Sequence, residues 1–392
     1  AGAVNFTYEI AEVTVNASDQ AVVKFRILGD GTPIVFDTYS GSGSTLLTGY
    51  TRSPGFLLAW ALPQSGIDEP TDYNNLGNNA GQPTSVSIED LWDGSSGTLS
   101  GPDAEGCYTG TITSDPFPSG AEMRAVALQG YFSQTGVAAR HTVSVVQAVT
   151  GDDVRRDIVD DAKCGSCHEW FEAHGGNRVY TVQVCATCHV PNLSSSGRTG
   201  DLTSYTYGSN SSTDNTIDTY GWDPLLYPED TNSLKDLIHG IHAAHDRDEP
   251  FEFVRLRSGN LYSFDFSHVT FPTDANNCMA CHLPGTYDMD SIPEAAFASN
   301  TRTTTGNPAE TRQDILDVRK TVPNDTDIVN SPISSTCYYC HDNSFAVEHM
   351  AQNGGAIRWT RDKIATDQPV ETCIVCHGPG RIADVEEVHQ DD

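Results

Sequence analysis

The sequence predicts an N-terminal all-β antiparallel sandwich or barrel, residues 1–150, followed by a second part, residues 151–392, with short helices and little regular structure. Three observations carry that division. Apolar and polar residues alternate with a period of two through much of the first 150 residues, and turn residues punctuate the runs. No long helical period interrupts them. From Gly151 onward periodicity of either kind is sparse, and every C-x-x-C pair in the chain falls after residue 160.

In chain order, Phe6, Tyr8 and Ile10 alternate with Thr7 and Glu9, and Val13 and Val15 flank Thr14. Val23, Phe25 and Ile27 point one way while Lys24 and Arg26 point the other, as in a half-buried strand. Gly29-Asp30-Gly31 is a turn before a second extended run at 34–36. Further strands are expected at 56–61, 108–113, 123–132 and 142–149. The stretch 66–101, rich in Gly, Ser, Asn and Pro, reads as a long surface loop, and so does the polar tract 194–218. In the second part the clearest helix is 233–245, with Ser233 as N-cap and Leu234, Leu237, Ile238 and Ile241 on one stripe. A shorter helix is expected at 382–389.

The chemistry lies in five pentapeptides: Cys164-Gly-Ser-Cys167-His168, Cys185-Ala-Thr-Cys188-His189, Cys278-Met-Ala-Cys281-His282, Cys337-Tyr-Tyr-Cys340-His341 and Cys373-Ile-Val-Cys376-His377. C-x-x-C-H is the attachment signature of c-type haem. Two thiols bond to the porphyrin edge and the adjacent imidazole becomes the proximal iron ligand. Zinc ribbons also use C-x-x-C pairs, and the first two lie at a plausible ribbon separation. Zinc gives no reason for a histidine behind every pair. Histidine is 13 of 392 residues, so five of five by chance is on the order of one in ten million. Five covalent haems are expected, and they consume ten of the eleven cysteines. Cys107 stands alone, read as a buried free thiol or, more sharply, one half of an intersubunit disulfide. With five porphyrins supplying much of the apolar core, the unloaded second part is not expected to fold.

Thirteen histidines less five proximal ones leave eight: His141, His174, His239, His242, His245, His268, His349 and His389. Five are needed if two imidazoles close every iron. His174 sits on a turn, His174-Gly175-Gly176, soon after the first motif. His239 and His242 share a helix flank. His349 follows the fourth motif by one short helix, and His389 ends the helix after the fifth. These five are the expected distal ligands; His141, His245 and His268 are reserves, with His245 rotating onto the apolar stripe of its helix. Met350 is weaker than the neighbouring His349 as a ligand. Iron closed on both sides leaves no position for substrate, which suits electron transfer rather than catalysis.

Charge and compartment follow. Asp and Glu number 53 against 22 Lys and Arg, a net charge of −31, which argues against nucleic acid and anionic lipid as partners. No apolar run reaches the length of a membrane span. Residue 1 is Ala, so an export signal is expected to have been removed, and c-type haem is attached outside the cytoplasmic membrane. The Asp-bearing stretch 214–218 is a candidate calcium site, although acidic surface is the ordinary reading in so acidic a chain.

The run from Cys164 through His174-Gly-Gly-Asn-Arg178 to His189 resembles the opening of a pentahaem module of the OmcA/MtrC-type outer-membrane multihaem cytochromes. Leu237-Ile-His239-Gly-Ile-His242 is similar to that family's paired distal-histidine helix. Phe271-Pro ahead of Cys278, Cys376-His-Gly-Pro-Gly380, and Tyr108-Thr-Gly-Thr and Leu128-Gln-Gly-Tyr131 in the β part also match. The resemblance implies an extracellular or cell-surface protein whose bis-histidine haems pass electrons to metal oxides, soluble metal chelates, humics or flavins, with other cytochromes or identical subunits as partners. Family members typically carry two β domains and two pentahaem modules; one of each is expected in this sequence, in which neither the lipobox cysteine nor the C-x8-C pair is seen. A single module is then a discrete periplasmic shuttle, a terminal reductase, or one link of a filament of head-to-tail copies. The rival enzyme reading is a multihaem reductase of a small oxyanion with one open iron. No motif has Lys in place of the proximal His, the mark of the catalytic haem in pentahaem nitrite reductases.

Overall fold

The computed structural model describes residues 3–137, 141–293 and 296–389. The chain divides into two compact units. One comprises Ala1–Pro63, Pro70–Asn75 and Pro83–Cys188; the other comprises Gln64–Glu69, Leu76–Gln82 and His189–Asp392. The first unit therefore runs past the expected boundary at residue 150 and takes in the first two cysteine pairs. Side chains beyond 150 are pinned within it. Arg155 Nε donates to Asp72 Oδ1 at 2.8 Å, Arg156 Nη1 donates to the Thr71 carbonyl at 3.0 Å, and Val184 is buried against Leu57 and Ala127.

In the first unit all strand pairs are antiparallel. One sheet runs β1 (Phe6–Val15), β2 (Ala21–Gly29), β8 (Tyr108–Ile112), β7 (Gly97–Ser100), with β3 (Thr32–Pro33) added to β2. The other runs β11 (Val145–Ala148), β9 (Glu122–Gln129), β5 (Gly55–Ala61), β6 (Thr84–Ser87). Two ribbons pair β10 (Ser133–Gln134) with β4 (Tyr50–Thr51) and β12 (Glu172–Ala173) with β13 (Arg178–Val179). Both large sheets feed one core: Tyr8, Val13, Val23, Phe25 and Ile27 from the first, Phe56, Leu58, Val126 and Leu128 from the second. Phe25 meets Phe56 edge-on at 5.1 Å. In β2 burial alternates as the pattern predicts, whereas all seven residues of β5 are buried because both its faces are covered. β9 stops at Gln129 because Gly130, at φ 91°, turns the chain there.

Two expectations for this unit are corrected. Residues 34–36 form no strand; Phe36 instead stacks on Tyr108 at 4.4 Å and its N–H donates to Tyr108 Oη at 2.8 Å. The stretch 66–101 is not a plain surface loop. It contains β6, helix α1 (Ile88–Trp92) and β7, with Val86, Ile88 and Leu91 buried. Ser87 and Asp90 form a capping box around the start of α1, a Ser-x-x-Asp signal present in the sequence. Helices α2 (Asp161–Cys164) and α3 (Val182–Ala186) complete the unit.

The second unit is mostly helical turns and loops around small sheets. β14 (Glu252–Arg257) and β15 (Asn260–Asp265) form a hairpin, and β16 (Ser299–Arg302), β17 (Ile328–Asn330) and β18 (Trp359–Thr360) a three-stranded sheet. Its helices are α4 (Ser211–Tyr220), α5 (Leu234–His242), α6 (Arg312–Arg319), α7 (Pro332–Tyr338), α8 (Ser344–Gln352), α9 (Arg361–Asp367), α10 (Ile374–His377) and α11 (Val385–Val388). The tract 194–218 is thus corrected from loop to a segment that begins α4. Asn210 caps that helix by accepting from Ser212 and Thr213 N–H groups at 3.1 Å, and it buries Thr213, Thr216 and Ile217. A compact apolar cluster of Leu237, Ala244, Phe251, Phe253, Tyr338, Tyr339 and Met350 ties α5, α7 and α8 together. Among the described residues no helix is long and apolar enough to cross a membrane.

Candidate haem sites

Each cysteine pentapeptide is wound into a single helical turn. In four of the five, the histidine N–H donates to the carbonyl of the first cysteine: His168 to Cys164 at 2.9 Å, His282 to Cys278 at 2.9 Å, His341 to Cys337 at 2.8 Å and His377 to Cys373 at 2.9 Å. In the remaining one, Cys188 N–H donates to the Cys185 carbonyl at 3.1 Å. One turn sets residues three apart on the same face, so both thiols of a pair lie to one side with the imidazole beside them. No two of the eleven cysteines are joined as a disulfide within the chain, and Cys107 is buried. A zinc ribbon would gather two thiol pairs at one point. Among the described residues the acidic and thiol groups that do gather are Asp103, Glu105 and Cys107, with no motif cysteine among them.

The histidines supply the most telling geometry. His239 faces His282 with ring centroids 6.1 Å apart and planes 20° from parallel. His389 faces His341 at 6.0 Å, and His349 faces His377 at 6.1 Å. An iron bonded to two imidazole nitrogens, each about 2 Å away as in metal–imidazole bonds generally, sets the ring centres about 6 Å apart. The three pairs fit that spacing, and each joins a motif histidine to one of the expected distal ligands. Sequence order does not govern the pairing. His349 follows the fourth motif yet faces the histidine of the fifth, while His389 follows the fifth and faces that of the fourth.

A second layer orients the rings. Nδ1 donates to a backbone carbonyl in His189 (Asn232, 3.0 Å), His242 (Ile238, 2.8 Å), His282 (Thr286, 3.2 Å), His377 (Ala383, 3.0 Å) and His389 (Val385, 2.9 Å). Such a bond fixes the proton on Nδ1 and leaves the Nε2 lone pair for a metal. His239 differs, since its Nδ1 is buried without a partner, and burial lowers its pKa to about 4. Its imidazole is therefore neutral, the form that ligates.

The other expected ligands are placed as follows. His174 has φ 55° at the tip of the β12–β13 ribbon, where its carbonyl accepts from Asn177 Nδ2 at 2.9 Å. His242 lies edge-on to Phe271 at 5.9 Å, and His168 is 5.6 Å from Phe171. Of the reserves, His141 holds the Glu172 carboxylate through Nδ1 and packs on Tyr131 at 4.5 Å. It also covers Gly176, where any Cβ would strike its ring. His245 and His268 are exposed. The expectation that His245 lies on the apolar stripe is corrected, because α5 ends at His242 and the chain turns away. Met350 is core, 7 % exposed, beside its ligand-like neighbour His349. For calcium, Asp214 and Asp218 stand on α4 rather than a loop. Asp214 accepts from Tyr205 Oη at 2.8 Å and Asp218 from Tyr207 Oη at 2.9 Å.

Around the fourth motif lies a polar network that sequence reasoning missed. Tyr339, between the two cysteines, is fully buried and donates to Asp230 Oδ1 at 2.6 Å; Tyr338 donates to Glu249 Oε2 at 2.7 Å. Arg247 lies over both rings at 5.2 Å and pairs with Asp342 at 3.3 Å. The residues are scattered from 230 to 342, so no local pattern could reveal them.

The family model for outer membrane cytochrome MtrC/MtrF-like, domains II/IV, matches residues 156–390. Among solved structures, the outer membrane decaheme cytochrome OmcA aligns at 16 % identity and a TM-score of 0.46, over 98 % of this chain and 49 % of that one. MtrC from Shewanella baltica OS185 aligns at 15 % identity and a TM-score of 0.48, over 96 % and 52 %. The chain thus spans about half the length of either. Comparison with curated protein sequences gives no match. The matched segment takes in all five cysteine motifs and well over half the chain, which therefore belongs to the MtrC/MtrF-like family of outer-membrane cytochromes.

Proposed function

We propose that this chain is a pentahaem c-type cytochrome of the cell surface, carrying electrons through bis-histidine haems to extracellular acceptors such as metal oxides, humics or flavins. Haem iron, when bound, supplies a one-electron ferric/ferrous couple. The ten motif cysteines, Cys164, Cys167, Cys185, Cys188, Cys278, Cys281, Cys337, Cys340, Cys373 and Cys376, hold five porphyrins. His168, His189, His282, His341 and His377 take the proximal positions, and His174, His239, His242, His349 and His389 the distal ones. The observation that carries this reading is the trio of imidazole pairs at 6.0 to 6.1 Å, each containing a motif histidine. Two imidazoles on one iron leave no site for substrate and hold its geometry through both oxidation states, which favours electron transfer over catalysis.

The β part, residues 1–150, serves in this reading as scaffold and docking module, with the haem module in 151–392. Other cytochromes or identical copies are the partners, and head-to-tail association would extend the conductor as a filament. Intact mass and pyridine haemochrome analysis of protein matured in a haem-attaching host test the count, with five haems per chain expected. Fewer than five, or none, counts against the assignment. Imaging at high concentration tests the filament, and isolated particles alone would rule it out.

A further inference from the structure

We infer that His389 is a displaceable ligand, so that the iron it shares with His341 can exchange its sixth ligand for a small exogenous donor such as carbon monoxide or cyanide. The inference rests on the bis-histidine reading above and identifies which of the closed irons can open.

The three distal imidazoles that face a motif histidine differ in what holds them. His349 is carried by α8, a nine-residue helix whose Met350 is buried and whose Ala346 and Val347 pack on the Phe251–Tyr339 cluster. His239 is carried by α5, also of nine residues, with Leu237 and Gly240 buried; Gly240 lies so close to Phe251 and Tyr339 that a Cβ there would approach both within 3.0 Å. His389 follows α11, a helix of four residues, none of them buried.

The tethers tell the same story. The chain is well anchored as far as Asp384: Ala383 N–H donates to the Cys376 carbonyl at 3.0 Å, and the buried Asp384 carboxylate accepts from Gly380 N–H at 2.5 Å. Beyond that point the bonds run within α11 itself, including His389 Nδ1 to the Val385 carbonyl. Among the described residues, the one side-chain hydrogen bond from α11 to another element is Tyr287 Oη to Glu386 Oε1 at 3.1 Å. Segments with few buried apolar contacts open at a small fraction of the global unfolding cost. A pivot after Asp384 would carry His389 off the iron without breaking the apolar cluster that ties α5, α7 and α8 together.

The opposite side stays put. His341 is followed by Asp342, which accepts from Asp248 and Glu249 N–H groups at 3.0 and 2.8 Å, and preceded by the buried Tyr338 and Tyr339. The exchange would break the bond from His389 Nε2 and put the donor's lone pair in its place, with no electron changing hands. His341 remains as proximal ligand.

The test uses dithionite-reduced, full-length holoprotein and carbon monoxide. The wild type is expected to take up one equivalent per chain, slowly, at a rate that levels off with carbon monoxide because departure of His389 limits it. Glu386→Ala cuts the tether and should raise that limiting rate several-fold at unchanged amplitude. His389→Ala should take up one equivalent without the slow phase. If wild type and Glu386→Ala stay unreactive over hours while His389→Ala binds one equivalent, the ligand is not displaceable and the inference falls with the bis-histidine reading intact. An unchanged rate in Glu386→Ala overturns the α11 pivot. Immediate uptake at several irons of the wild type, with high-spin iron at rest, overturns the bis-histidine reading and this inference with it.

Discussion

The crossed pairing of imidazoles between the last two motifs makes a prediction that sequence order alone would get backwards. His349 lies 6.1 Å from His377 and His389 lies 6.0 Å from His341, ring centre to ring centre. His349→Ala should therefore open the iron held by the fifth motif and leave that of the fourth closed. With five motifs per chain, one fifth of the ferric iron should turn high-spin in the electron paramagnetic resonance spectrum. Removing a porphyrin identifies which iron has changed. In a background where Cys373 and Cys376 are both replaced by Ala, the fifth haem is absent and His349→Ala should add no high-spin signal. In a background lacking Cys337 and Cys340, the same substitution should still convert one of the four remaining irons. His389→Ala should behave in the opposite way in both backgrounds. A high-spin signal from His349→Ala that disappears with the fourth motif's cysteines, and survives loss of the fifth's, would refute the pairing.

Three further outcomes test the packing and electrostatics. Phe25→Ala, at a fully buried position edge-on to Phe56, should destabilise the first unit by about 3–5 kcal/mol, read as loss of amide-exchange protection in β2, β5 and β8. Arg198, 2 % exposed, pairs with the Glu229 and Glu310 carboxylates, themselves 3 % and 8 % exposed; Arg198→Met would leave them to the more distant Arg319 and Arg302, at 3.8 and 3.9 Å, and should cost about 3 kcal/mol, the low end for a broken buried pair, in chemical denaturation of the holoprotein. Burial raises the Asp230 carboxyl to about 6, above its unfolded value, so the native state holds that proton more tightly. Stability should then fall as pH rises from about 4 to about 6, and Asp230→Asn should flatten that slope in pH-dependent denaturation; Asp327, also raised to about 6, supplies a residual slope. An unchanged slope in Asp230→Asn would show that the carboxyl is not in the assigned environment.

Much of the plan was legible because its signals are local. Period-two alternation marked β1 and β2, and an unbroken apolar run marked β5. The pentapeptides pointed to c-type haem without any tertiary information. The stripe on α5 placed His239 and His242 on a helix, and the glycine pair after His174 gave the turn. What escaped notice was stabilised by other means. Helix α4 buries Thr213 and Thr216 rather than an apolar stripe, so its composition mimics a loop. Segment 66–101 hides a capped helix among turn residues. Residues 34–36 have strand-like composition, but Tyr108 takes the Phe36 N–H that a strand neighbour would need. That His349 faces His377 and His389 faces His341 depends on where the tertiary fold places α8 and α11, which no spacing rule encodes. The carbonyls that orient the rings carry no side-chain signature at all.

The central claim is that each iron in this chain is closed by imidazole on both faces. Spin quantitation of the oxidised, full-length holoprotein by electron paramagnetic resonance, set against its haem content, tests that most directly. The account predicts five low-spin ferric centres per chain and no appreciable high-spin signal at rest. A resting high-spin component amounting to one iron or more per chain would contradict it.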